Sequence, residues 1–213
     1  MDRDGDSDIV TGGRWYENSG RMDAWIVAAP SQENLAALPD LLERYPPSQV
    51  LWAGETNGTA AGRRLVRELA RLNIPLVNLE TGQTLELGEG AVLRVLTSGR
   101  RGAALLLEWQ RFRLLLPLGV DFESLPLLLE DPALKGVTAV LLAESGYAPA
   151  NPPELIAHLN PRLALISVAA GDWQGLPSAE TLEALEGRTL LRTDQVGWLE
   201  VMTDGEQMWV DVE

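Results

Sequence analysis

Residues 22–55 read MDAWIVAAPSQENLAALPDLLERYPPSQVLWAGE, and this stretch decides the architecture. Ala24 to Ala28 is a compact apolar strand. From Leu35 to Tyr45 the apolar residues fall at 35, 38, 41 and 42, the spacing of one helix face. Pro46-Pro47 ends that helix, and Gln49 to Ala53 is a second strand. Between strand and helix runs a loop, Ala29-Pro30-Ser31-Gln32-Glu33-Asn34, without a histidine, cysteine or aspartate.

Outward from this unit the pattern repeats. Upstream, Ile9-Val10-Thr11 before Gly12-Gly13 predicts a short strand closed by a glycine turn. Downstream, Thr59 is placed to cap a helix whose face is Leu65, Val66, Leu69 and Leu72, followed by an extended Ile74 to Leu79. The segments TLELGEG, AVLRVLTSG, GAALLLEW and RFRLLLPL are joined by short turns, and their patterning predicts an antiparallel meander. Beyond Gly119, helices are predicted at Ser124–Leu129, in PPELIAHLN, and in SAETLEALEG, where Ser178 begins a Ser-x-x-Thr cap. The buried strands GVTAVLLA and RLALISVA lie among them. TLLRT, GWLEVMTDG and EQMWVDV are expected to close the chain as a hairpin turned at Asp204-Gly205. Strands alternating with helices at both ends, with a meander between, predict two packed sheets with helices outside. No linker, repeat or low-complexity stretch divides residues 1–213, which are read as one domain.

Composition narrows the function. The 213 residues are 46% hydrophobic, enough for a sizeable core. Seventeen cationic against 31 anionic side chains leave a net charge of −14, which opposes direct nucleic-acid binding. There is no cysteine, so disulfides, thiolate metal sites and a cysteine nucleophile are excluded. There is one histidine, His158. No apolar run is long enough to cross a bilayer, and the start MDRDGDSD has no signal-peptide core, so a soluble domain is expected.

Several stretches in order, DIVTGG, MDAWIVAAP, NLAALPDLLERYPPSQVLWAGE, IPLVNLETGQTLELGEGAVLRVL, NPRLALISV, GLPSAETLEAL and LLRTDQVGWLEVMTDG, resemble the metallo-β-lactamase-fold domain. The closest version is the soluble C-terminal domain of ComEC-type DNA-internalisation proteins of competent bacteria. The resemblance implies an α/β fold, a four-layer αββα sandwich of two mixed sheets flanked by helices. The family has another strand or two before its glycine pair, where only MDRDGDSD leads into Ile9-Val10-Thr11, so the resemblance implies either a trimmed chain or loss of the first strands.

The family holds one or two zinc or manganese ions through an H-x-H-x-D-H loop. Laid on AAPSQENLAALP without gaps, those ligand positions become Ala29, Ser31, Glu33 and Asn34. A further histidine position falls at Glu144 or Ser145, the bridging aspartate at Val120 with Asp121 one place late, and the last histidine at Leu176. The aspartate before the early glycine pair falls at Thr11. Zinc prefers nitrogen and sulfur donors, and a site normally holds three or four of them in place; one imidazole without any thiolate is too few. No zinc and no other cofactor is therefore expected, and the metal-bound hydroxide of the family's hydrolysis goes with it.

Other chemistry remains to be weighed. Glu33, Asp121 and Glu144 could gather a hard cation, as carboxylates hold magnesium or calcium; solvated loop acids are the simpler reading. Glu33 with Glu144 could serve as a metal-free acid–base pair if burial raised one of them. Ser31 or Ser145 would need a base beside it, and His158 lies in a helix. GETNGTAAGRR has the glycines of an anion loop but lacks its Lys-Ser/Thr pair. GRRG, residues 99–102, reads as a hairpin tip. Trp15, Tyr16 and Trp173 sit in loops that the resemblance places at the rim of the family's cleft, where they serve as contacts for a partner or small ligand or simply as loop packing.

Three functions follow. The first is a metal-less pseudo-hydrolase with a structural or interaction role, within a DNA-uptake protein attached to the inner membrane through its other segments. Its partner is then an unidentified protein or the rest of that protein. The second is a phosphodiesterase-like or nuclease-like hydrolase using a carboxylate-bound divalent cation or no metal. The third is a ligand-binding cleft.

Overall fold

The computed structural model describes residues 24–212 together with the backbone of 8–10 and 14–16. At the front, β1 (Asp8–Val10) and β2 (Arg14–Tyr16) pair antiparallel. Three strands, β3 (Ala24–Val27), β4 (Gln49–Trp52) and β5 (Leu76–Asn78), form a small parallel sheet. The large sheet is mixed, and its strands lie side by side in chain order. The meander β6 (Thr84–Gly88), β7 (Ala91–Gly99), β8 (Gly102–Trp109) and β9 (Phe112–Leu116) is antiparallel, as its turns predict. From β9 onward, β10 (Ala139–Leu141), β11 (Leu163–Ile166) and β12 (Thr189–Arg192) run parallel.

Period-two alternation sorts the buried residues into two interfaces. On β8, Ala103, Leu105 and Leu107 face the other sheet, where Ile26, Ala28, Leu51 and Ala53 meet them. Ala104 and Leu106 face outward onto α4 (Leu125–Glu130), α5 (Pro153–Leu159) and α6 (Ala179–Ala184), through Leu128, Leu155, Ile156, Leu159 and Leu185. A strand covered on both faces reads as an uninterrupted apolar run, and GAALLLEW does. Trp25, Val27, Val50 and Trp52 point outward from the small sheet onto α1 (Gln32–Leu35), α2 (Leu38–Leu41) and α3 (Ala60–Arg71). Trp25 and Trp52 thus belong to the core, as their strand positions imply. The layers are helix, sheet, sheet, helix.

Three expectations need correction. The helix over 35–45 is two short helices, because Pro39 has no N–H to give the turn before it and falls at the start of α2. Ser178 does not cap its own helix; its hydroxyl accepts the Ala148 N–H at 3.1 Å. TLLRT is not part of the terminal hairpin but strand β12, the edge of the large sheet. The turn of α7 (Thr193–Val196) separates it from β13 (Leu199–Thr203) and β14 (Met208–Val212), the actual hairpin. Thr59 caps α3 as expected, accepting the Gly62 N–H at 3.0 Å. No helix among the described residues is long and apolar enough to cross a membrane.

Candidate functional site

Parallel strands point their C-terminal ends one way, so the loops after β9, β10 and β11 leave the large sheet at one edge. The β7–β8 tip emerges beside them, since β8 is antiparallel to β9. The loop after β3 joins this edge through the Ala103 N–H, which donates to the Ala28 carbonyl at 2.7 Å. The loop after β4 joins through the Glu55 N–H, which donates to the Arg100 carbonyl at 3.0 Å. Five loops and a hairpin tip therefore share one edge of the sandwich.

Most of the positions singled out from sequence lie along it. Ala29 offers only its carbonyl, which accepts the Ser31 N–H at 2.9 Å and the Asn34 side-chain amide at 3.0 Å. The Ser31 hydroxyl caps α1 by accepting the Asn34 N–H at 3.1 Å. Glu33 is exposed on the first turn of α1. Val120 is buried in the core between large sheet and helices, and Leu176 packs against the same core. Asp121 turns inward on its own loop, accepting the Ser124 hydroxyl at 2.7 Å and the Ser124 and Glu123 N–H groups at 2.9 and 3.1 Å. The Ser124 hydroxyl, then the backbone donors, hold this carboxyl below the usual aspartate range.

Glu144 and Ser145 occupy left-handed backbone, φ +45° and +53°, in a region that disfavours side chains. The Glu144 carboxylate is ion-paired with the guanidinium of Arg101, which reaches over from the β7–β8 tip. Next to it, Arg100 donates to the Glu55 carboxylate at 2.7 Å. These two pairs tie the tip to a loop of each sheet. Beneath them the backbones touch: an added Cβ on Gly54 would lie 2.9 Å from the Arg100 carbonyl oxygen and 2.9 Å from Pro30 Cγ. One on Gly102 would overlap the Ala28 carbonyl oxygen, and one on Gly119 would overlap Gly102 itself.

Other residues fall elsewhere. His158 is on α5, its Nε2 3.0 Å from the Asp131 carbonyl oxygen. The neighbouring Leu159 carbonyl accepts from Gly136, just before β10 begins, so the imidazole sits at the opposite end of the large sheet. The serine–histidine pairing weighed from sequence is therefore absent for both Ser31 and Ser145. Trp173 is 87% exposed on the loop after β11, and Phe122, on the loop after β9, is 80% exposed. The side chains of Trp15 and Tyr16, and all of Thr11, lie outside the described residues.

Among the described residues no three His, Asp or Glu side chains gather in a way that could hold a metal ion, so Glu33, Asp121 and Glu144 do not form such a group. Among the described residues this edge offers neither the nitrogen and sulfur donors that zinc prefers nor a gathered carboxylate set of the kind that suits manganese. Sequence reading did not foresee the part played by Glu55, Arg100 and Arg101. The available signal was the GRRG tip itself, two cations held between glycines.

No protein-family model matches the chain, and no curated protein does. Solved structures do match. CmlA, a diiron β-hydroxylase from Streptomyces venezuelae, superposes with a TM-score of 0.52 at 15% identity, over 81% of this chain and 44% of that one. A point mutant of the CmlA β-hydroxylase gives 0.55 at 16% identity, over 81% and 43%. The chain has the metallo-β-lactamase fold. It spans less than half the length of the CmlA chains, and identity this low speaks for architecture alone. The metallo-β-lactamase fold explains why the loops converge on one edge, since the C-terminal ends of strands in a layered α/β sheet are where chain reversals leave room for a site.

Proposed function

We propose that this chain is a catalytically silent metallo-β-lactamase-like domain, spanning residues 1–213, that serves a structural or interaction role. The observation that carries the reading is the Arg101–Glu144 ion pair. At a position where the ComEC-type resemblance puts a ligand histidine, a carboxylate faces a guanidinium, a fixed cation supplied by the chain itself. Arg100 and Glu55 repeat the arrangement one loop away. The two pairs bridge the tip to the loops on either side of it. Exposed Trp173 and Phe122 on the loops around it are the residue type enriched at protein interfaces.

The same resemblance supplies the setting: a domain of a DNA-uptake protein, anchored to the bacterial inner membrane by its other segments. Its contact is then another protein or the remainder of that larger protein. The net charge of −14 supports contacts other than a direct grip on DNA.

A second reading, a hydrolase using a carboxylate-bound divalent cation, draws on Asp121, whose hydrogen bonds keep it ionised. Equilibrium dialysis of the purified chain against zinc, manganese and magnesium, beside a bis-p-nitrophenyl phosphate assay, separates the two. The first reading expects no stoichiometric metal and no hydrolysis. Stoichiometric binding, or hydrolysis abolished by a chelator and by Asp121→Asn, would establish the second.

A further inference from the structure

The terminal hairpin presents a largely open face, on which Met202, Trp209 and Asp211 are exposed and Glu200 is half-buried. Within the described residues β13 and β14 pair only with each other. On one side, Leu199, Val201, Met208 and Val210 pack onto the core between the sheets. Alternation places Glu200 and Met202 of β13, Trp209 and Asp211 of β14, and the preceding Trp198 on the other side. The register sets Met202 directly opposite Trp209 and Glu200 directly opposite Asp211.

A solvated sheet face ordinarily reads polar, yet here Trp198, Met202 and Trp209 are 54%, 40% and 47% exposed. Like charges directly across a ladder repel, and no cation of the described residues pairs with Glu200 or Asp211. An apolar stripe interrupted by two unbalanced carboxylates is complementary to a surface of opposite charge with apolar neighbours.

We propose that this face docks a basic, amphipathic polypeptide segment. Its lysines or arginines meet Glu200 and Asp211, while its apolar side chains cover Met202, Trp209 and Trp198. The exposed indoles add cation–π attraction for the same cations, and tryptophan is among the residue types enriched where binding energy concentrates at interfaces. A second copy of this chain fits poorly, because a two-fold contact sets each patch against itself and brings four carboxylates together. Nucleic acid is repelled by the same two groups.

The hairpin turn packs by Gly205 against Gln110 of the β8–β9 turn, at the end of the large sheet opposite the loop-bearing edge. Neither the stripe nor its test involves Glu33, Asp121, Glu144 or Arg101, so the outcome is read separately from the question of catalysis at that edge.

The test uses the full chain and two labelled ten-residue peptides, one alternating lysine with valine and leucine, the other with glutamate in place of lysine. Affinity is read by fluorescence anisotropy and the contact by backbone amide shifts. The expected result is binding of the lysine peptide alone, with shifts concentrated at 198–212. Glu200→Lys with Asp211→Lys should weaken it about tenfold or more, and Met202→Ser with Trp209→Ser about tenfold. The control Glu130→Lys with Glu154→Lys makes the same charge change on exposed positions of α4 and α5 and should alter binding less than about twofold. Equal loss in control and hairpin variants would reduce the effect to diffuse attraction and overturn the proposal. Binding of the glutamate peptide, amide shifts elsewhere, or a dimer broken by the hairpin variants would overturn it as well.

Discussion

Replacing Gly102 by alanine tests whether the β7–β8 tip is jammed into the edge of the sandwich or merely lies on it. Gly102 has φ +136°, a conformation that side chains avoid. Its new Cβ would lie 3.0 Å from both the Ala28 carbonyl carbon and the Gly119 Cα, and closer still to the Ala28 oxygen. All three obstacles are backbone, so no rotamer change relieves them; the tip must move by roughly 1 Å. That movement stretches two hydrogen bonds, Ala103 N–H to the Ala28 carbonyl at 2.7 Å and Gly119 N–H to the Ala103 carbonyl at 2.9 Å, past useful length. Ala28 and Ala103 are buried, so water does not replace those bonds.

Each bond left unmade costs about 1–3 kcal/mol, and the backbone conformation adds about 1–2 kcal/mol. The stiffer unfolded chain returns about 0.4–1 kcal/mol. The expected net loss is about 5 kcal/mol by these terms. In a urea titration with a slope near 3 kcal/mol/M, the midpoint falls by roughly 1.6 M. Gly90→Ala is the control: φ is +83° but nothing stands within 4 Å, so only the conformational cost of about 1 kcal/mol applies. If the two variants lose the same stability, the tip is not wedged against β3, and the account of a closed, backbone-tight edge fails.

Three further outcomes follow from the same edge. Ser145→Gly relieves a left-handed residue whose side chain makes no hydrogen bond among the described residues, and should raise stability by about 0.5–1 kcal/mol in chemical denaturation; a loss would show that the serine has a role its geometry does not reveal. A double-mutant cycle on Arg101→Ala and Glu144→Ala should return a coupling of at most about 1 kcal/mol that shrinks with added salt, because the arginine is 57% exposed; no coupling at low salt would remove the pair as a tie between the loops. Asp121, held below its usual range chiefly by the Ser124 hydroxyl, contributes stability above the unfolded aspartate pKa of about 3.9 that is lost as pH falls through its lower folded value. Stability of the natural chain minus that of Asp121→Asn should therefore be larger at pH 6 than at pH 3; an unchanged difference would contradict the assignment.

Sequence and structure divide the explanation unevenly. The layers are legible in residue order because each rests on local periodicity: six consecutive buried residues from Gly102 to Leu107 declare a strand covered on both faces. Thr59 is legible as a cap because its partner, Gly62, is three residues away. Pro39 was equally visible, but the apolar spacing across 35–42 masked the break it imposes.

The contents of the edge divide the same way. That the chain owns one imidazole and no thiolate is a count, so the scarcity of nitrogen and sulfur donors is legible before any folding. What stands in those places is not. Arg101 meets Glu144 across 43 residues and Arg100 meets Glu55 across 45. Glu144, read alone, is a solvated loop acid first and a cation ligand second. Only the packing of the two sheets, which brings Ala28, Gly54, Gly102 and Gly119 into backbone contact, carries the arginine tip between the loops and decides which it becomes. Periodicity describes neighbours in the chain, whereas charge pairing and close approach depend on neighbours in space.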